Sequence, residues 1–186
     1  MFWRSQKVIE IKKELEFLNQ EMSKVVCCFT GYRPDKMPWG YDEKDYRCLE
    51  LKNQIEYVIE QTINDGYKIF LCGMALGFDT FCAEAVLKLK KRYKHIKLIG
   101  AIPCKDQDCN WKPEFKVRYR KLISQLDGIR CIYDTYNGYE CMMERNYYMV
   151  NNSSKLIALY DGKSGGTKRT IEYAKKRGLN MTVLNP

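Results

Sequence analysis

Ile69-Phe70-Leu71-Cys72-Gly73-Met74-Ala75-Leu76-Gly77-Phe78-Asp79-Thr80 decides how the rest of the chain is read. Four consecutive apolar residues suit a strand covered on both faces, since a sheet with one wet face would alternate apolar and polar. Two glycines follow, then Asp79 and Thr80, either of which can cap the helix over about 78 to 93. A strand, a glycine turn and a helix form half of a β/α repeat.

The same rhythm runs outward in both directions. Short apolar runs at Val25 to Thr30, Lys97 to Ile102, Ile129 to Tyr133, Leu156 to Tyr160 and Met181 to Leu184 bring the expected strands to six. Helical spacing marks the stretches between them, at about 45 to 65, 112 to 126, 139 to 151 and 167 to 177, as in Leu51, Ile55, Val58, Ile59 and Ile63. The expectation is an α/β, Rossmann-like, three-layer domain over residues 25–186 with a mostly parallel sheet. Residues 1–24 read as an N-terminal helical extension, because Val8, Ile11, Leu15, Leu18 and Met22 form one amphipathic stripe. That stripe would dock on its own domain or pair with a second copy as a homo-oligomer.

Composition narrows the partners. At 186 residues the chain suits one domain, and no run approaches the roughly 20 apolar residues that cross a bilayer. A cytoplasmic location with no membrane partner is expected. Nine cysteines, an odd number lying mostly in apolar runs, read as reduced core thiols. Cys104 and Cys109 lack a second pair at ligand spacing, so neither a metal nor a cofactor is expected. The net charge of +9 favours anions, with one basic cluster over residues 88–97 and another over 168–177. Lys88 to Lys94 reads as a solvated helix face, for no aromatic stacking pattern is interleaved there.

In parallel sheets ligands lie beyond the carboxyl ends of the strands, and glycine and polar residues gather in those loops here. Gly73-x-x-x-Gly77-x-Asp79 and Asp161-Gly-Lys-Ser-Gly165-Gly166-Thr167 each lead a strand into a helix. Backbone N–H groups and the helix N-terminus would there attract a phosphate. Gly31 and Arg33 stand in the loop after the first strand, where a guanidinium could fork onto a phosphate or carboxylate. Arg145 falls inside an apolar and aromatic helix and needs a counter-anion from protein or ligand. Hydrolytic chemistry would call on Arg145 and Glu84 as its candidates, while a lone His95 offers no acyl-transfer set.

Taken in order, Phe29-Thr-Gly-Tyr-Arg-Pro34, Gly73-Met-Ala-Leu-Gly-Phe-Asp-Thr80, Ile102-Pro103 with Gln107 and Trp111, and Arg145-Asn146 through Tyr160-Asp161 to Gly165-Gly-Thr167 resemble the YpsA-like branch of the SLOG superfamily. That Rossmann-like group also holds the DprA/Smf proteins and the Lonely-guy phosphoribohydrolases. The resemblance covers about residues 25 to 185. It implies a pocket for a nucleotide or nucleotide-derived molecule, sensed or sequestered, over the sheet edge. The implied ligand-binding residues are Gly31, Arg33, Gly73, Gly77, Asp79, Arg145, Gly165, Gly166 and Thr167. Against the Lonely-guy loop, Thr170 stands where those enzymes carry their catalytic glutamate, and Glu172 is turned about 200° away on the helix. Cleavage of a nucleoside monophosphate and nucleic-acid binding therefore stand as alternatives.

Overall fold

The computed structural model describes residues 21–136 and 138–186. The extension expected over residues 1–24 lies outside them but for its last few residues, of which 21–23 are helical.

Six strands form a single sheet in the order β4-β3-β2-β1-β5-β6, and every neighbouring pair is parallel. They are β1 (Val26–Thr30), β2 (Ile69–Cys72), β3 (Lys97–Cys104), β4 (Gly128–Tyr133), β5 (Lys155–Leu159) and β6 (Asn180–Leu184). The helices are α1 (Tyr46–Asn64), α2 (Phe78–Leu89), α3 (Pro113–Ile123), α4 (Tyr139–Asn151) and α5 (Gly166–Lys176), with a 3-10 turn at Pro34–Lys36.

Alternation along β1 sorts the core into its two halves. Cys27 and Phe29 face the side built with Ile55 and Ile59 of α1, Phe78 and Val86 of α2 and Leu122 of α3. Val26 and Cys28 face the other, built with Met149 and Val150 of α4 and Ala174 of α5. With helices on both faces, β1 and β5 are buried at every residue, which is why their sequences lack a polar alternation. Seven of the nine cysteines are buried, all nine are free, and no metal-holding group of three His, Cys, Asp or Glu exists among the described residues. No helix among the described residues is long and apolar enough to cross a membrane.

The expected helices at 78–93 and 112–126 overrun, stopping at Leu89 and Ile123. Past Leu89 the chain turns, and Lys90 pairs with Asp127 at the start of β4. Part of the basic cluster over residues 88–97 is ion-paired: Lys88 meets Glu56 at 2.6 Å and Arg92 meets Glu60 at 2.9 Å.

The strand order places a crevice at one edge of the sheet. The chain moves outward from β1 to β2, β3 and β4, then returns to the other side of β1 as β5. Loops after β1 and β5 therefore diverge, and the crevice opens between their C-terminal ends. Phe78 packs into this region: a Cβ at Gly31 would stand 2.6 Å from the Phe78 Cβ and overlap its ring. Gly31→Ala is expected to cost about 1–3 kcal/mol, the usual penalty for overpacking a filled core, as read from the urea midpoint of unfolding.

Candidate functional site

The two glycine turns, alike in sequence, are built differently. In the first, Gly77 is the N-cap of α2 with φ +86, a left-handed conformation that glycine alone adopts without strain. Asp79 and Thr80 lie within the first turn of the helix rather than at its cap. The Asp79 carboxylate accepts from the Ala75 N–H at 3.2 Å, and the Thr80 hydroxyl donates to the Ala75 carbonyl at 2.9 Å. Phe78 N–H donates to the Tyr32 carbonyl at 3.1 Å. Much of this turn's polar capacity is thus spent on the protein.

Its inner side is closed as well. The Arg145 Nη1 donates to the Gly73 carbonyl and, at 3.4 Å, to that of Ala101, while Nε donates to Asn146 Oδ1 at 2.8 Å. The carboxylate of Asp79 lies 4.0 Å away. A Cβ at Gly73 would overlap the guanidinium and stand 2.7 Å from Asp79 Oδ2, so glycine here makes room for a buried ion pair. Burial pushes the Asp79 carboxyl up against the pull of Arg145 and of nearby Arg33, and pushes the Arg145 guanidinium down. Gln107, from the loop after β3, completes the brace by donating to the Met74 carbonyl at 2.7 Å. The counter-anion that Arg145 requires is supplied by the protein.

The second turn is open. Gly165, at φ +147, is the N-cap of α5, and no side chain caps that helix. Its first bonded amide is Arg169 N–H, to Gly165 O at 3.2 Å. That leaves the N–H groups of Gly166, Thr167 and Lys168 at the mouth. Thr167 is spent on position, its hydroxyl donating to the Gly31 carbonyl at 3.3 Å, which ties α5 to the end of β1. Thr170, fully buried, donates to Gly166 O at 2.9 Å and accepts from the Asn146 amide at 3.0 Å. A threonine locked in this way holds the turn and presents nothing to a ligand.

A positive charge stands beside the mouth. A Cβ at Gly165 would stand 3.2 Å from the Lys36 ammonium, which reaches over from the 3-10 turn. Arg33 is exposed at the cap of that turn, and neither residue is in an ion pair among the described residues. Beyond Gly165, an open cleft of about 530 Å³ is lined by Tyr139, Ser164, Gly165, Lys168, Arg169 and Glu172. That size falls within the ordinary range of small-molecule sites.

Asp161 closes the turn from below. It accepts from the Tyr32 hydroxyl and from Lys163 Nζ at 2.6 Å, and these two partners, the lysine foremost, lower its pKa to about 2. Tyr32→Phe is expected to move that titration upward toward the ordinary carboxylate value, as followed by NMR of the Asp161 side chain. Lys163 is thereby engaged with Asp161 and not with the mouth.

Of the sequence candidates, Gly31, Gly165, Gly166 and Thr167 meet at this open turn, while the Arg33 backbone lies against Gly77. Gly73, Gly77, Asp79 and Arg145 form the braced turn beside it. Glu84 stands apart, its carboxylate held by Arg118 Nε and Nη2 at 2.7 Å each, in a network that also includes Glu43. Lys36, Tyr139 and Arg169 are the residues sequence reasoning missed. Lys36 lay two residues beyond the Thr-Gly-Tyr-Arg-Pro motif, and only the 3-10 turn folds it back over Gly165.

The model of the YpsA family, described as the YspA SLOG family, matches residues 27–184. The chain belongs to this family. Among curated relatives, the uncharacterized SPbeta prophage-derived protein YoqJ of Bacillus subtilis is 34% identical over 146 residues, covering 72% of this chain and 85% of its own. A UPF0398 protein of Halalkalibacterium halodurans is 30% identical over 155 residues, covering 82% and 81%. Two solved structures share the fold of this SLOG domain. DNA processing protein A of Streptococcus pneumoniae superposes with a TM-score of 0.58 at 14% identity, over 87% of this chain and 50% of that one. DNA processing protein A of Helicobacter pylori, described for its single-stranded DNA binding mode, gives 0.59 at 16% identity, over 88% and 67%. The chain thus spans half of the streptococcal protein and about two thirds of the other.

Proposed function

We propose that this SLOG domain binds a nucleotide or nucleotide-derived small molecule at the C-terminal edge of its sheet, with the phosphate at the N-terminus of α5. The observation that carries the reading is the uncapped start of that helix at the β1/β5 crevice, with the Lys36 ammonium, in no ion pair among the described residues, beside it. Amide N–H groups and the helix dipole favour an anion there, and Arg33 and Lys36 add charge-assisted hydrogen bonds. Gly31 and Thr167 set the distance between the two loops. Gly73, Gly77, Asp79 and Arg145 hold the neighbouring turn rigid as one wall of the crevice.

The test is mass spectrometry of small molecules released by denaturing the purified protein, followed by equilibrium dialysis with nucleoside monophosphates and NAD-derived nucleotides. A bound nucleotide and saturable binding that weakens with salt are expected. Release of free base from a monophosphate would turn the reading to N-glycosidic cleavage. The net charge of +9 also suits a longer polyanion. Salt-dependent retention of a single-stranded oligonucleotide, with no binding of mononucleotides, would replace the small-molecule reading by nucleic-acid binding.

A further inference from the structure

We propose that the wall formed by Tyr139 and Arg169 takes the base of a nucleoside monophosphate, an inference that rests on the phosphate position argued above. Tyr139 is the first residue of α4 and remains 48% exposed. Its hydroxyl donates only to the Met143 sulfur, at 3.2 Å. A Cβ at Gly166 would stand 3.0 Å from that hydroxyl. The phenol therefore reaches the open helix start, and its ring extends away along the cleft wall.

Arg169 lies over this ring. Its guanidinium carbon lies 5.7 Å from the centre of the Tyr139 ring, and it has no carboxylate partner among the described residues. A tyrosine ring and a guanidinium plane are the two side-chain surfaces on which nucleobases stack. Here they adjoin one another and share one cleft with Gly165 and Lys168. The other aromatic candidates do not combine these features. Trp39 is buried, Trp111 packs edge-on against Tyr119 at 5.1 Å, and the exposed Tyr46 and Tyr57 lie on the outer face of α1.

Stacking tolerates any base and adds affinity without hydrogen-bond readout, so the wall favours nucleotides over sugar phosphates and discriminates weakly among bases. Glu172, which also lines the cleft, is 3.8 Å from Lys168 and its side chain is 63% exposed, which leaves it able to accept from a hydroxyl or exocyclic amine.

The experiment compares AMP with ribose 5-phosphate, which share the phosphorylated sugar and differ in the base, by calorimetric titration of the intact protein and of Tyr139→Ala and Tyr139→Phe. AMP is expected to bind about tenfold tighter than ribose 5-phosphate, the usual scale for one stacked base. Tyr139→Ala should erase most of that ratio while leaving ribose 5-phosphate binding unchanged, and Tyr139→Phe should keep it. Equal affinities for the two ligands, or an equal loss of both in Tyr139→Ala, would overturn the base wall and leave the phosphate position standing. Binding of neither ligand would overturn both. Tyr139 lies at a half-exposed helix start, so thermal unfolding of the variants should match the parent protein.

Discussion

Gly166→Asp is expected to lose nucleoside monophosphate binding by roughly a hundredfold or more while the protein stays folded, because a like charge set against a bound anion costs several kcal/mol. The two effects have opposite signs for one reason. Gly166 is the first residue of α5, where the free N–H groups and helix dipole attract negative charge. A carboxylate supplied by the protein would use that attraction itself, adding about 0.3–1 kcal/mol of stability and excluding the ligand's phosphate. Its Cβ would stand 3.0 Å from the end of the Tyr139 side chain, a group that can turn aside. Binding measured by equilibrium dialysis should therefore fall as the thermal midpoint holds or rises. Gly166→Ala separates charge from bulk, since it adds the same Cβ with no carboxylate and should lose far less. Unchanged affinity in Gly166→Asp would place the phosphate elsewhere, whatever the stability shows.

The contrast between the two glycine turns shows where the sequence was legible. Consecutive apolar residues at Ile69-Phe70-Leu71 and Leu156-Ile157-Ala158-Leu159 imply a sheet covered on both faces, and local periodicity carries that information. Five helices and six strands follow from such local patterns, and the errors gather at helix ends, where tertiary partners such as Asp127 decide the last turn. Strand order depends on pairing between distant segments, so the crevice beside β1 could be anticipated as a rule but not located. Arg145 announced its need for a counter-ion, because a guanidinium among Met, Tyr and Val cannot go unpaired. Which carboxylate supplied it could not be read, since Asp79 looked like a helix cap of ordinary kind. Gly73 and Gly166 likewise both belong to strand-to-helix glycine turns but have different causes, the first making room for Arg145 and the second leaving room at an open helix start. Tyr139 carried no signal, for one tyrosine in a helix rich in them is distinguished only by what stands opposite it.

Arg145→Met should destabilise the protein by about 3–5 kcal/mol, the cost of leaving one partner of a buried ion pair without the other. Methionine fills much of the arginine volume, so the loss comes from charge and hydrogen bonding more than from a cavity. Asp79 would keep the Ala75 N–H as a donor but lose the guanidinium that opposes its desolvation. Its carboxyl, already raised by burial, would rise further in the folded state and stay near its usual value when unfolded. The folded variant then binds more protons than the unfolded chain in the window between those two values. The charge part of the penalty is complete above the raised folded value, shrinks as pH falls through the window and disappears below the ordinary carboxylate range, while the lost hydrogen bonds to Gly73 and Ala101 persist at every pH. The stability gap between Arg145→Met and the parent protein should accordingly narrow on acidification, as measured by urea unfolding at a series of pH values. Asp79→Asn added to Arg145→Met removes the stranded charge, and should recover part of the loss and flatten its pH dependence. A loss below about 1 kcal/mol, in the range of exposed ion pairs, would mean that Arg145 is not the brace of the Gly73 turn. The double variant tests the same turn in a second way: if Asp79 and Arg145 serve each other before any ligand, their joint replacement should cost less than the arginine alone.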